Sequence, residues 1–400
     1  MTADTTTVDR KMIPLSVPNL CGNEWSYLKE CLDTGWVSTA GPFVTRFEKA
    51  VAGYTGAMYA VACISGTAGL HVALRLAGVE AGDEVIVPAV TFIAPVNAVR
   101  YLSAEPVFMD CDDFLNIDAG KVLRFCEEEC ELTALGLRNR SSGRMLKALV
   151  PVHVFGTPCD MDALLSIAEK FSLKVVEDAS ESLGSWRTTS RGRVHTGTEG
   201  HLGVISFNGN KIVTSGGGGM ILTNDENHAR RARYLTTQAK DDEVRFIHHE
   251  TGYNYRLTNT QAALGLAQCE NLERFKAVKK KNRDLYKKEL GKVTGLSFIG
   301  APNTADPNFW LTAVAIDKDL CGIDRDTVMK ALAARKIETR PLWELNHLQK
   351  PYHDNQHYRI EKALLFREQL LCLPSGTGLT ENDVAQVTTA LIEIMGKANG

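Results

Sequence analysis

Between residues 59 and 222, short apolar runs alternate with stretches whose apolar positions recur every three or four residues. The runs at 59–64, 84–87, 106–109, 148–153, 173–176, 204–207 and 220–222 predict strands. Between them, 67–76 (closed by Gly78), 91–102 and 161–170 carry the helical period. Strands that alternate with helices predict a mostly parallel sheet covered on both faces. Before this rhythm come a polar arm at 1–18 and helices at 23–34 and 43–54, with Phe43, Phe47 and Val51 on one face of the second. After it, a long helical stretch at 257–290, lysine-rich in its far half, reads as a connector. A strand at 310–315 and helices at 326–334 and 381–394 follow. The pattern predicts an α/β protein with a large domain at 1–270, including the arm, and a smaller α+β domain at 271–400.

Composition narrows the function classes. The 400 residues include 33 glycines and are 44% hydrophobic, which suits a packed enzyme rich in tight turns. A net charge of -3 gives no reason to expect a nucleic acid partner. No apolar run is long enough to span a membrane and the start is polar, so a cytoplasmic location without a signal peptide is expected. The ten cysteines form no Cys-x-x-Cys pair. Cys126 and Cys130 read as reduced thiols, and no histidine pair has the spacing of a metal site, so no metal is expected.

In a sheet of this kind ligands bind outside the carboxyl ends of the strands. Ser65, Asp110, His153, Asp178 and Ser206 fall near such ends. The segment Ser65-Gly66-Thr67-Ala68 links a strand to a helix, where glycine permits a close turn and the first amides can hold a phosphate. Alone, it reads more readily as an ordinary helix cap. Glu177-Asp178 ends another strand, and Asn208-Gly209-Asn210 makes a turn that aims Lys211 back over the strand ends. An amine that can hold an aldehyde, and an acid that keeps a ring nitrogen protonated, are what pyridoxal 5'-phosphate chemistry requires. Lys211 would then move the proton between donor and cofactor. Ser206 can bond the phosphate. Phe92 reads either as a core residue or as a ring stacked on the cofactor. His153 reads as structural at least as readily as catalytic. The run Gly216–Gly219 lacks the lysine and serine of a phosphate loop. Arg230, Arg231 and Arg256 are candidates for anionic contacts by charge alone.

Several segments together resemble the DegT/DnrJ/EryC1/StrS aminotransferases, a nucleotide-sugar branch of fold-type I pyridoxal phosphate enzymes. They are Thr34-Gly35-Trp36-Val37-Ser38, Ser65-Gly66-Thr67, Val87-Pro88-Ala89-Val90-Thr91-Phe92, Pro151-Val152-His153-Val154-Phe155-Gly156, Glu177-Asp178-Ala179, Ser206-Phe207 through Lys211, and Gly252-Tyr253-Asn254-Tyr255-Arg256-Leu257. The resemblance runs from Ile13 to the C-terminus. It implies a mostly parallel seven-stranded sheet, with Lys211 bound to the cofactor aldehyde and Asp178 paired with the ring nitrogen. It also implies Phe92 stacked on the ring, phosphate contacts from Gly66, Thr67 and Ser206, and Glu181 near the cofactor. Asn254 is expected to reach the partner subunit's phosphate in a homodimer with shared active sites. L-glutamate is the expected donor and a nucleotide-linked keto sugar the acceptor. Many members carry glutamine or histidine where this chain has Glu181. The run Ala179-Ser180-Glu181 resembles the branch that aminates C4 of UDP-linked 4-keto-6-deoxy-N-acetylglucosamine, on routes to legionaminic acid or bacillosamine-type sugars. A C3-keto deoxysugar, a keto-cyclitol or a non-enzymatic cofactor-binding sensor are the alternatives. The segment 125–142 exceeds a minimal member and is expected to be a surface or substrate-side loop.

Overall fold

The computed structural model describes residues 11–190, 192–242 and 244–398; residues 1–10 of the expected arm lie outside them. Seven strands form the centre of the main sheet: β1 (Tyr59–Cys63), β2 (Glu84–Pro88), β3 (Glu105–Met109), β4 (Met145–Leu149), β5 (Lys174–Asp178), β6 (Leu202–Ser206) and β7 (Gly219–Thr223). Their spatial order is β1-β7-β6-β5-β4-β2-β3. β7 runs antiparallel to both of its neighbours; every other pair among the seven is parallel. Nearly every residue of these strands is buried, as a sheet covered on both faces requires. Helices Gly66–Leu76, Ala94–Tyr101 and Met161–Phe171 connect the strands.

Three further strands bring the main sheet to ten. The hairpin Cys130–Thr133/Gly136–Asn139 pairs with the start of β4, and His357–Tyr358 pairs with the outer edge of β3. The 125–142 segment is thus the end of helix Ala119–Glu128 followed by a hairpin. It contributes nothing to the cleft described below, so of the two expectations the surface feature fits and the substrate-side loop does not. A second sheet, wholly antiparallel, is built from Leu296–Phe298, Thr312–Ile316, Leu370–Leu373 and Arg340–Pro341. Helices Leu272–Leu290, Arg325–Ala333 and Glu381–Ala398 pack with it around a core that includes Tyr286, Val314 and Leu371; Ile13 of the arm joins that core.

Several element boundaries move for local reasons. The 257–290 stretch is two helices, Asn259–Cys269 and Leu272–Leu290, and the first opens with a capping box between Thr258 and Gln261. The expected strand at 148–153 stops at Leu149. Pro151 has no N–H to continue the ladder, although Val152 bridges Asp178. Helix Ala94–Tyr101 starts three residues after the expected position, with Pro95 in its first turn. Helices Ala119–Glu128 and Glu226–Thr236 are not among the expected elements; their buried stripes, Val122, Phe125 and Cys126 in the first and Ala229, Ala232 and Leu235 in the second, are short and set among charged residues. Asp118 and Asp225 cap them.

The C-terminal segment is pinned to the main sheet through Asp110, at the end of β3. This fully buried carboxylate accepts from the amides of Glu361, Lys362 and Ala363 at 3.0, 3.0 and 2.8 Å and from Lys121 Nζ at 2.7 Å. Burial pushes its pKa up, but Lys121 and the three amides outweigh this and hold it below the usual carboxylate range. Removing the acid strips the amides of Glu361, Lys362 and Ala363 of their acceptor, while Lys121 keeps the Arg359 carbonyl and Glu361. Asp110→Ala is expected to cost roughly 3–5 kcal/mol, read as a lower midpoint in urea unfolding.

Candidate active site

β5 sets the geometry of the site. Successive side chains of a strand point to opposite faces, so Glu177 and Asp178 diverge. Glu177 is fully buried. It accepts from His153 Nε2 at 2.9 Å and from the amides of Gly197, Glu199 and Gly200 at 2.7, 2.7 and 2.5 Å. The Cys159 amide donates to His153 Nδ1 at 3.0 Å, which places the imidazole proton on Nε2, facing Glu177. Burial raises the Glu177 pKa, but the His153 bond and the amides prevail and lower it. His153 is therefore a satisfied structural residue.

Asp178 points the other way, into a cleft of about 340 Å³ at the carboxyl ends of the strands. The cleft brings together Gly66, Thr67, Phe92, Asp178, Glu181, Ser206 and Lys211, all seven in one place. Asn254 is not among its lining residues and is exposed, bridging Thr237. Arg230 and Arg231 lie on the surface, against Asn227 and Glu250, and Arg256 donates to the Thr39 carbonyl at 3.1 Å. None of the three arginines lines the cleft.

The phosphate end follows from the junction of β1 with the next helix. Ser65 caps that helix by accepting from the Ala68 amide at 3.1 Å. The first intrahelical bond, Gly69 N–H to the Ser65 carbonyl, leaves the amides of Gly66 and Thr67 outside the helical ladder. A Cβ at Gly66 would lie 2.9 Å from the Ser206 Cβ and 3.1 Å from Ser180 Oγ, so only glycine lets these hydroxyls crowd the helix start. Free amides, two hydroxyls and a helix N-terminus are a donor set for a phosphate dianion. Asp178 is buried, which raises its pKa; the bonds from Ser180, whose amide donates to Oδ1 at 2.9 Å, and the nearby Lys211 pull the other way. A pyridinium against it would hold it ionised. With Lys211 Nζ lining the same cleft, the residues fit pyridoxal phosphate.

Lys211 follows a turn closed by its own amide to the Asn208 carbonyl at 3.0 Å. Phe207, fully buried against Phe47, anchors the near end of that turn. Glu181 Oε1 lies 3.5 Å from Lys211 Nζ, and Glu181 Oε2 accepts from the Phe155 amide at 2.8 Å. Phe155 adopts a left-handed φ of 54° to present that amide. Burial pushes the Glu181 carboxyl up to about 7, with Lys211 and the Phe155 amide opposing.

Sequence reasoning missed the far wall. Trp310 and Trp343 face the cleft from segments over 90 residues downstream of Lys211, and Ser180, Thr91 and Asn210 also line it. Trp310 carries Lys211 Nζ 4.0 Å from its ring centroid. Trp343 meets Phe155 and Phe92 at centroid distances of 5.0 and 6.4 Å. Phe92 is half-exposed, so it is a wall residue and not core. Its loop is held by Asn346, whose Nδ2 donates to the Thr91 carbonyl at 2.7 Å. Solitary aromatics in the sequence gave no sign of this convergence.

The family model for DegT/DnrJ/EryC1/StrS aminotransferases matches residues 19–392. The chain belongs to this family. It is a pyridoxal phosphate-dependent sugar aminotransferase. It is similar to GDP-perosamine synthase of Caulobacter vibrioides, with 38% identity covering 97% of this chain and 99% of the relative. It is also similar to EpsN of Bacillus subtilis, with 36% identity covering 96% of each. The crystal structure of DesI in the presence of its TDP-sugar product superposes with a TM-score of 0.85 at 28% identity, covering 98% of this chain and 95% of that one. Among the described residues of the aminotransferase, no helix is long and apolar enough to cross a membrane.

Glu181 gives this aminotransferase a pH signature. A carboxyl held near 7 in the folded state, against an ordinary value of about 4.3, destabilises the fold once it is charged. The penalty is absent below the unfolded pKa, grows as pH rises and is complete above 7. In the cofactor-free protein, Glu181→Gln is expected to gain roughly 1–3 kcal/mol over the unaltered chain between pH 4.5 and 8. Urea midpoints at the two pH values check this.

Proposed function

We propose that the aminotransferase moves an amino group from L-glutamate to the C4 keto group of a nucleotide-linked sugar. We take UDP-linked 4-keto-6-deoxy-N-acetylglucosamine as the preferred acceptor. The observation that carries the reading is the meeting, in one cleft, of a lysine amine, a buried carboxylate at a strand end and a helix start fitted for phosphate. When bound, pyridoxal phosphate supplies the electron sink that makes the donor α-proton removable.

The residues act as follows. Gly66 and Thr67 offer amides, and Ser206 a hydroxyl, to the phosphate. Asp178 keeps its charge against the ring nitrogen, and Phe92 covers the ring. Lys211 is the base that takes the donor α-proton and later returns a proton to the sugar carbon. Glu181, 3.5 Å from that amine, tunes the charge beside it. Asn254, exposed on the surface, is offered to a partner subunit in a homodimer. The cofactor residues lie at 1–270, and we place the domain boundary at 270/271, where the helices leading to the second sheet begin. A cytoplasmic location follows the expected availability of nucleotide sugars and glutamate.

A second reading, a GDP-linked keto sugar as acceptor, is favoured by the similarity to GDP-perosamine synthase. Both readings use the same lysine and phosphate end.

Borohydride reduction of the cofactor-loaded protein, followed by peptide mapping, is expected to fix the label on Lys211. Lys211→Ala is expected to lower turnover by at least about a thousandfold. A panel of UDP-, GDP- and TDP-linked 4-keto and 3-keto sugars with glutamate, products read by NMR, separates the acceptors. Label on a different lysine would defeat the mechanism, and amination of only a GDP-linked sugar would defeat the preferred acceptor.

A further inference from the structure

Trp310 has more anchors than a wall residue needs. It is almost fully buried. Its amide donates to Asn308 Oδ1 at 2.8 Å, and its indole N–H donates to the Asn210 carbonyl at 2.7 Å. Its own carbonyl accepts from Lys279 Nζ at 2.9 Å. Each partner belongs to a different piece of the active site's frame. Asn210 immediately precedes Lys211. Asn308 donates to the carbonyls of Glu181 and Leu183, both at 2.9 Å. Lys279, buried on helix Leu272–Leu290, also donates to the Ser375 carbonyl at 2.6 Å. The indole plane is therefore fixed relative to both the lysine turn and the Glu181 loop.

The fixed ring presents its face to Lys211 Nζ, 4.0 Å from the centroid. The only carboxylate paired with that amine among the described contacts, Glu181, stands at 3.5 Å. That is longer than a strong charge-assisted bond of about 2.7–2.9 Å. A π face attracts a cation through its quadrupole but has no lone pair that takes the proton. An ammonium resting there makes no strong hydrogen bond to the ring and can leave without first breaking one.

We propose that Trp310 is a positioning residue: its ring is the docking face on which the Lys211 ammonium waits whenever the amine is free. This rests on the reading of Lys211 as the reactive lysine. The docked amine stays beside the cleft floor, ready to deliver its proton, and does not swing toward solvent. Lys279 and Asn308 act through Trp310 by fixing the position of the ring.

The contrast between Trp310→Phe and Trp310→Leu isolates the ring face. Both lose the indole N–H and their side chains are close in size, but only phenylalanine offers a π system. In the cofactor-free full-length protein, the rate at which an amine-reactive acetylating reagent modifies Lys211 is followed by peptide mass spectrometry. Leucine is expected to raise that rate about fivefold over phenylalanine, the scale of a partly buried cation–π contact. In the loaded enzyme, the glutamate half-reaction of the leucine variant is expected to slow about tenfold relative to phenylalanine, with the glutamate KM unchanged. Equal labelling in the two variants, or a loss carried in KM, overturns the proposal. Should the leucine variant fail to fold by thermal melting, Trp310→Met against Trp310→Phe gives the same contrast. Labelling reads the docking face and borohydride mapping reads the chemistry, so failure of one is separable from failure of the other.

Discussion

The active site depends on how one buried acid is satisfied. Glu177 has no exposure, yet its oxygens receive one imidazole N–H and three backbone amides. Four donors on one carboxylate offset a desolvation cost that no single bond would cover. The result is mechanical. The His153 loop and the 197–200 turn are tied to the last residues of β5, and the next side chain, Asp178, is left pointing into the cleft. The adjacent acid holds its direction into the cleft because its neighbour has no freedom to move.

A second constraint comes from where the cleft's walls originate. Its floor is assembled from strand ends of the main sheet, all within the first 220 residues. Its far side is aromatic and comes from segments that lead into and out of the second sheet. Asn346 holds the Phe92 loop, and Asn308 holds the Glu181 loop. Both asparagines are buried, and the side-chain amide of each donates to two backbone carbonyls, so the floor is stiffened from the side that also closes it. This couples the position of the wall to the position of the reactive groups.

The alternating rhythm of the first half was legible in the sequence because buried parallel strands are short, apolar and bounded by turn residues. The floor residues were legible for the same reason. Asp178, Ser206 and the Ser65–Thr67 corner sit where such strands end, and a ligand site at strand ends is a property of the architecture. The wall was not legible. Trp310 and Trp343 precede or follow irregular backbone, and no periodicity ties them to Lys211. Their convergence is a tertiary fact. Helices Ala119–Glu128 and Glu226–Thr236 escaped because their apolar stripes are only three residues long and are flanked by charged residues on the other faces. The apparent single helix at 257–290 concealed its break because both halves carry helix-forming residues up to Glu270-Asn271.

The two-residue strand His357–Tyr358 looks trivial beside the long crossovers, but it lies along the outer rim of β3. An uncovered rim there would offer free N–H and C=O groups to any passing chain and invite intermolecular ribbon growth. A strand this short cannot itself template further addition. The C-terminal segment thus caps that rim against strand-to-strand pairing, and Asp110 moors the cap.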